Sequence, residues 1–352
     1  MNKCGKLISV AEMSDFERGT GMKRVVTMLL SLALFGVVLT ATACRSSSFS
    51  ESSRTGFALD TVVSITIYEA QGDVDGEVVL DTCFAEIQRL EKLFSATIAG
   101  SDISRINAAM GAPVVVAEET AELLQLSLQY AELSDGAFDI TLRPVTTLWD
   151  FSGDPPSLPD KTLLAEAVST VDYRHLTVSG TTVTLTEGAL DLGGIAKGFI
   201  ADRLRDVLLA NGVTSALVDL GGNIVVIGDK QGDAWRIGVK DPLNAERLRA
   251  IISGKELSVV TSGVYERGFT LDGVRYHHLL SPETGMPVQN GLASVTIVCE
   301  SSVQADALST ACFVLGESWA MALLSELDDV EALFIRIDGT VSATDGLVYT
   351  LQ

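Results

Sequence analysis

The sequence predicts an α+β fold: a single domain of mixed, largely antiparallel sheets with flanking helices. Strand-like and helix-like segments mix along the chain without the regular alternation of a parallel sheet. In addition, Asp272-Gly273 separates two short strand-like segments, which is typical of a β-hairpin turn. After the N-terminal region, roughly 300 residues remain, enough for one large domain.

The individual elements follow from the spacing of apolar residues. Strands are predicted where apolar residues alternate with polar ones or form short apolar segments: 61–68, 176–178, 183–186, 216–220, 223–227, 235–239, 268–271, 275–280 and 294–298. Helices are predicted where apolar residues recur every three or four positions: 79–94, 118–134, 162–168, 198–210, 303–315 and 318–326. Gly136 marks the stop of the second helix.

The N-terminal region has the layout of a secretory signal. Lys23-Arg24 precede an uncharged apolar segment that runs to about residue 40, and small residues precede Cys44. A cysteine at this position is typical of bacterial lipoproteins, so we expect lipidation of Cys44 and a membrane-tethered protein on the periplasmic side. An uncleaved membrane anchor is the alternative, because the apolar segment approaches the ~20 residues that span a bilayer. Both alternatives place the remaining chain outside the cytoplasm.

Four segments result from this interpretation. Residues 1–21 are expected to be an over-extended start, and residues 22–43 the signal peptide. Residues 44–56 are Ser-rich and are interpreted as a flexible tether, and residues 57–352 as the folded domain.

Charge and cysteine content exclude several functions. The net charge of −21 argues against nucleic-acid binding, which requires clustered Lys and Arg. A polyanionic substrate would therefore need a local metal ion or helix N-termini. Cys83, Cys299 and Cys312 occupy apolar positions of predicted elements and are expected to be buried free thiols. No Cys/His cluster has zinc spacing.

The most informative segment begins at His277-His278, continues through a Pro/Gly turn to Pro287, and is followed by Asp306 and Thr310 on a predicted helix. Residues four apart project from one helix face. A carboxylate with a hydroxyl suits Mg²⁺, which keeps positions for water and substrate phosphate. The alternative is that Asp306 is only a first-turn residue favoured by the helix dipole.

The tetrapeptide Asp-Leu-Gly-Gly occurs twice, at 191–194 and 219–222, each time after a strand-like segment. The first copy leads into Ile195-Ala196-Lys197 at the start of a predicted helix, an arrangement that can bind phosphate. Two tight turns without a ligand are the alternative.

Taken together, these segments resemble the ApbE-type FAD:protein FMN transferases. The resemblance is collinear and covers nearly the whole of the predicted domain. Its motifs are Leu59 to Ser64, Ser101 to Asn107, Gly136 to Thr141 with Pro144 and Trp149, Asp191 to Gly198, Leu220 to Asn223, Thr261 to Arg267, His278 to Pro287 and Asp306 to Thr310.

This resemblance implies a chemistry. Members bind FAD and Mg²⁺, transfer FMN to a Thr or Ser hydroxyl of an acceptor protein, and release AMP. It implies that Asp306, Thr310 and a backbone carbonyl of Gly194 hold Mg²⁺, and that His278 takes the proton of the acceptor hydroxyl. His277 faces the other side of its strand and is not expected to share this role. His175 is expected to be structural.

The resemblance also implies the flavin contacts. The residues placed around FAD are Leu59, Thr97, Ala137, Phe138, Asp139, Asp191, Lys197 and His278. Thr97 departs from the family pattern, because many relatives carry an aromatic residue there that helps to hold FAD. Two alternatives therefore stay open: a Mg²⁺-dependent FAD pyrophosphatase that yields FMN and AMP, and a flavin-binding lipoprotein without catalysis.

The acceptors implied by the resemblance are extracytoplasmic redox proteins with a motif of the type Asp-Gly-x-Thr-(Ser/Gly)-Ala-Thr. The chain itself reads Asp-Gly-Thr-Val-Ser-Ala-Thr at 338–344, where Val341 breaks the pattern. Self-modification at Thr344 is one interpretation, and a closing β-hairpin with an Asp-Gly turn is the other.

Overall fold

A computed structural model describes residues 50–352 except 152 and 154. The predicted signal peptide and Cys44 lie outside the described residues. The α+β prediction is confirmed: an antiparallel eight-stranded sheet runs in the order β1-β2-β6-β7-β10-β13-β14-β15. Smaller sheets have the orders β16-β9-β8, β3-β5-β4 and β11-β12.

The strands are β1 Ser52–Ala58, β2 Thr61–Ala70, β3 Val114–Val115, β4 Leu176–Ser179, β5 Thr182–Leu185, β6 Val213–Leu220, β7 Asn223–Ile227, β8 Trp235–Asp241, β9 Asn244–Gly254, β10 Leu257–Gly263, β11 Gly268–Leu271, β12 Val274–His277, β13 Leu292–Cys299, β14 Glu331–Arg336, β15 Val341–Ala343 and β16 Tyr349–Leu351. The helices are α1 Gly76–Phe94, α2 Asp102–Ala108, α3 Glu118–Leu133, α4 Arg143–Thr146, α5 Lys161–Val168, α6 Ala196–Ala210, α7 Ser302–Leu315 and α8 Glu317–Leu324.

Strand structure is present before the predicted domain boundary at residue 57. Ser52–Ala58 forms strand β1, which pairs antiparallel with β2 from Ser52↔Ile67 to Ala58↔Thr61. The segment looked like a tether because its first residues are polar, and as an edge strand it depends on pairing with β2. The sequence signal for such a strand is weak.

The large sheet is covered on both faces. On one face, α6 packs through Phe199, Ile200 and Leu204 in the same core as Val218 and Val225. On the other face, the sheet of β8, β9 and β16 packs through residues such as Trp235 and Ile252. This two-sided cover explains why the central strands are apolar along their length, as in β13, where every residue is buried.

Helices α6 and α7 approach each other unusually closely at Gly198. A Cβ on Gly198 would lie 2.3 Å from the Ser302 carbonyl oxygen, so only glycine permits this contact. Asp202 of α6 fixes the crossing because its carboxylate accepts hydrogen bonds from the backbone N-H groups of Ser302 at 2.8 Å and Val303 at 2.9 Å. These are donors at the N-terminus of α7, which have no partner within their own helix. The two helices are therefore locked in register.

A cluster of aromatic side chains supports the hairpin β11-β12. Phe269 and Tyr276 of the hairpin stack at 5.4 Å between ring centroids, and Tyr276 faces Trp149 at 6.0 Å. The Trp149 indole N-H donates to the Gly285 carbonyl at 2.9 Å. This bond ties the turn after His278 to the rest of the domain.

Predictions about cysteines were confirmed, because Cys83, Cys299 and Cys312 are buried free thiols. Within residues 50–352, apart from the two gaps, no helix combines the length and apolar character needed to cross a membrane.

Candidate active site

The first Asp-Leu-Gly-Gly turn brings several of the predicted site residues together. Asp191 shapes this turn, because its Oδ1 accepts a hydrogen bond from the Gly193 N-H at 3.0 Å. Its Oδ2 accepts a hydrogen bond from the Thr146 hydroxyl at 3.3 Å. The turn leads directly into α6, whose first residues are Ala196 and Lys197.

Gly194 lies between two predicted site residues. A Cβ at Gly194 would lie 3.3 Å from Thr310 Oγ1 and 3.3 Å from Phe138 Cε2. Glycine therefore allows the backbone of the turn to approach the hydroxyl on α7. Phe138 itself is buried, with 3% of its surface exposed.

Asp306 is the buried carboxylate of the site, with 4% of its surface exposed. Its Oδ2 accepts a hydrogen bond from the Gly198 N-H at 2.9 Å, near the start of α6. Its Oδ1 lies 3.9 Å from the Lys197 ammonium, which donates to the Gly193 carbonyl at 3.2 Å. One lysine therefore connects the carboxylate with the glycine turn.

Three hydroxyl side chains lie close together near Asp306. Ser262 Oγ lies 2.9 Å from Ser309 Oγ and 3.5 Å from Thr310 Oγ1. Among residues 50–352, the two gaps aside, no group of three or more His, Cys, Asp and Glu side chains could hold a metal ion. The donors at hand are thus one carboxylate, hydroxyls and backbone carbonyls, which suits a hard cation that also takes substrate phosphate and water.

His278 immediately follows strand β12. Its Nε2 lies 3.8 Å from Glu266 Oε2, and its Nδ1 is buried without a hydrogen-bond partner. Burial lowers the pKa of His278 to about 4, and the nearby positive charge of Arg267 adds to this effect. The imidazole is therefore neutral at pH 7 and available as a proton acceptor.

The neighbouring His277 has a different environment. Its Nε2 lies 3.0 Å from the Val288 carbonyl oxygen, and its ring packs edge-on against Phe313. Only 2% of its surface is exposed. His277 thus faces the protein interior, as its strand position predicts, and His175 lies 3.8 Å from Glu187 in the region of β4 and β5.

Asp139 and Ala137 lie in the loop that carries Phe138. The Asp139 carboxylate accepts hydrogen bonds from the Thr141 N-H and hydroxyl, both at 2.7 Å, and from the Tyr173 N-H at 2.8 Å. Burial is the main reason that the pKa of Asp139 is raised. Both oxygens hold the loop together, so a contact of Asp139 with flavin stays a prediction.

Leu59 and Thr97 lie in two other loops. Leu59 has a φ of 54° in the β1-β2 turn, and its N-H donates to Glu91 Oε1 at 2.8 Å. A positive φ is uncommon for leucine and marks a constrained turn. Thr97 is exposed, and its hydroxyl lies 3.0 Å from Ser95 Oγ. These hydrogen bonds go to Glu91 and Ser95 and not to Asp306 or Thr310, so the roles of Leu59 and Thr97 stay predictions.

Glu266 and Ser262 join the site although neither was among the predicted site residues. Both belong to the segment Thr261 to Arg267, which the sequence comparison identified only as a motif. The signal available was the single acidic residue of this motif, Glu266. Glu266 precedes the hairpin β11-β12 and His278 follows it, so pairing of the two strands brings the two residues together.

This antiparallel α+β fold, with a buried carboxylate, hydroxyl groups and a lysine around one turn, defines a protein class that acts on a phosphoryl group. The ApbE family model matches residues 59–334, and the chain belongs to the ApbE family.

Known relatives are similar to this protein in sequence or in structure over most of the chain. The FAD:protein FMN transferase of Treponema pallidum is 40% identical over 318 residues, which cover 85% of this chain and 88% of that protein. The FAD:protein FMN transferase of Klebsiella pneumoniae is 36% identical over 265 residues, 74% of this chain and 82% of that protein. The ApbE protein of Thermotoga maritima has a solved structure with a TM-score of 0.78, 35% identity and coverage of 84% of this chain and 97% of that chain.

Proposed function

We propose that this protein is a Mg²⁺-dependent FAD:protein FMN transferase. It cleaves FAD, attaches FMN to a Thr or Ser hydroxyl of an acceptor protein, and releases AMP. Relatives that bear this name and match most of the chain support the transfer reaction. The grouping of Asp306, Thr310, Gly194 and Lys197 around one turn is the single observation that carries the proposal.

Asp306, Thr310 and the backbone at Gly194 would hold the cation. A Mg²⁺ ion held there would supply positive charge against the negative charge that develops on the phosphoryl oxygens. Lys197 is close enough to add a positive charge on the same side, because its ammonium lies 3.9 Å from Asp306 Oδ1. The N-terminal turn of α6 adds backbone N-H groups to this positive environment.

His278 takes the proton of the acceptor hydroxyl. Its low pKa keeps the ring neutral at working pH, so the nitrogen is ready to accept a proton. The acceptor oxygen then attacks the phosphorus of the FMN half, and AMP leaves. Phe138, packed against Gly194, helps to exclude water from this side of the turn.

We further propose an extracytoplasmic setting. The predicted signal segment and Cys44 support a lipid-anchored protein that modifies acceptors carrying an Asp-Gly-x-Thr-(Ser/Gly)-Ala-Thr type motif. Self-modification at Thr344 is disfavoured, because its hydroxyl bonds with Glu331 and accepts a hydrogen bond from the Ala332 N-H at 2.9 Å.

FAD hydrolysis is the second candidate function. It is favoured by the exposed Thr97, which stands where the family resemblance implies an aromatic residue that stacks on FAD. If hydrolysis dominates, Thr97→Ala should leave the rate of AMP release within about twofold of wild type, since the hydroxyl contributes no stacking surface. A flavin-binding protein without catalysis is less well supported, because simple binding does not require the cation donors.

The test measures AMP and FMN released from FAD with Mg²⁺, with and without a peptide carrying the acceptor motif. Transfer predicts AMP that depends on the peptide, with a mass gain of one FMN on the peptide. Free FMN and AMP without peptide would instead indicate a pyrophosphatase. An absence of AMP under both conditions would contradict both enzyme functions and favour a binding protein.

A further inference from the structure

Glu266 lies beside the base of the proposed reaction. It belongs to the turn between β10 and β11, and its Oε2 is 3.8 Å from His278 Nε2. The backbone holds the two segments together, because the His278 N-H donates to the Arg267 carbonyl at 3.2 Å. The backbone of the hairpin therefore places the two residues side by side.

The two nitrogens of the His278 ring differ in access. Nδ1 is buried and has no hydrogen-bond partner, whereas 27% of the His278 side chain and 40% of the Glu266 side chain reach solvent. The open side of the ring is therefore the Nε2 side, which faces Glu266. An acceptor hydroxyl that reaches His278 from solvent meets this nitrogen with the carboxylate already next to it.

Positive charges lie near the ring of His278. His278 is buried near the cationic side chains of Arg267 and Lys197, and both disfavour a second positive charge on its ring. Burial raises the pKa of Glu266, whereas the positive charges of Lys197 and Arg267 favour its ionised form. Glu266 is thus the carboxylate that lies against the ring itself, since Asp306 is engaged by Gly198 and Lys197.

We propose that Glu266 is a positioning residue for His278, and that its carboxylate stabilises the imidazolium formed when Nε2 takes the acceptor proton. This inference rests on the proposed transferase function. In the balanced step, the acceptor hydroxyl loses its proton to Nε2 as its oxygen forms a bond to phosphorus. The phosphoanhydride P-O bond breaks, and its electron pair leaves on the phosphate of AMP. The ion pair between Glu266 and the imidazolium closes as the proton arrives.

The experiment compares Glu266→Gln, His278→Ala and the double variant, using FAD, Mg²⁺ and the acceptor peptide. Glu266→Gln should lower kcat by about 10- to 100-fold, the usual effect of removing an outer partner of a functional group. The KM for FAD should stay within about twofold of wild type, because Glu266 acts on the proton transfer. The double variant should be no slower than His278→Ala, since Glu266 acts only through the histidine.

Asp272→Asn is the matched control. Asp272 is an exposed carboxylate in the turn of the same hairpin, at a φ of 50° that asparagine tolerates well. It should retain the wild-type kcat. If Glu266→Gln fails to fold, Glu266→Asp replaces it, because its shorter side chain draws the carboxylate away from Nε2 and should also lower kcat.

Three outcomes would overturn the inference. An unchanged kcat in Glu266→Gln, with His278→Ala inactive, contradicts the role of Glu266 and leaves the transferase function intact. Losses that multiply in the double variant would mean that Glu266 acts independently of His278. An absence of AMP release by the wild-type protein, with or without peptide, would reject the proposed function and this role of Glu266 together.

Discussion

The two copies of Asp-Leu-Gly-Gly have the same four residues and different structures. At 219–222, Gly221 and Gly222 have φ values of 65° and 98° and form the tight turn between β6 and β7. At 191–194 neither glycine has a positive φ, and the chain continues into α6. The aspartates differ too, since Asp219 accepts from the Gly222 N-H at 2.8 Å and Asp191 from the Gly193 N-H at 3.0 Å.

The two turns also differ in the residues that pack against them. The first turn lies against Thr310 and Phe138, near the Lys197 and Asp306 pair. The second packs against Thr61 next to the β1-β2 turn, where a Cβ at Gly221 would lie 2.2 Å from Thr61 Oγ1. The glycines of the second turn therefore serve the hairpin backbone, and those of the first provide space for a functional group on another element.

The largest expected effect tests whether the first turn is the catalytic one. Asp306→Asn keeps an oxygen for the Gly198 N-H and removes the charge, so AMP release should fall on the order of 10³-fold, as expected for loss of a metal ligand. Asp219→Asn in the second turn is the control and should retain full activity. Equal activity of Asp306→Asn and wild type, measured at saturating Mg²⁺, would contradict the metal assignment.

A smaller effect is expected when one glycine of each turn is replaced by alanine. Gly194→Ala has no backbone strain but places a Cβ against Thr310 Oγ1 and Phe138, so activity should fall about tenfold with little loss of stability. Gly222→Ala meets open space at a φ of 98°, so it should lower the free energy of unfolding by about 1 kcal/mol and leave activity unchanged. AMP release and urea unfolding measure the two effects. A reversed pattern would mean that the two turns have been assigned the wrong way round.

The smallest expected effect concerns His277, the buried neighbour of His278, and the dependence of stability on pH. Burial lowers the pKa of His277 from its ordinary value of 6.5 to about 4, so the unfolded chain binds a proton more readily than the folded one in this window. The stability conferred by neutral His277 is therefore present above pH 6.5 and is lost as the pH falls towards 4. In His277→Gln the loss of unfolding free energy should be smaller than in the wild-type protein by on the order of 1 kcal/mol.

Urea unfolding at pH 7 and at pH 5 measures this contribution, with glutamine retaining an N-H that can donate to the Val288 carbonyl. The wild-type protein should lose more free energy of unfolding between the two values than His277→Gln does. Parallel losses in both proteins would mean that His277 does not control this part of the pH dependence.

Much of the fold was predictable from local patterns. The helices that became α1, α3, α6 and α7 carry apolar residues at helical spacing, and their boundaries agree within a few residues with the structure. Strands β9, β10 and β14 were not predicted. In β9, Asn244–Gly254, charged residues face solvent and few apolar side chains mark the buried face, so the alternation is weak.

Sequence by itself determined the family, the fold class and the candidate residues His278, Asp306 and Thr310, because these follow from motif order and from helical spacing that lies within one element. Tertiary structure alone decided which Asp-Leu-Gly-Gly copy meets the site and that Asp202 caps the helix carrying Asp306. The physical reason is distance along the chain. The hydrogen bond between Gly198 and Asp306 joins residues 108 positions apart, and local preferences carry no information about such a contact until the two helices pack.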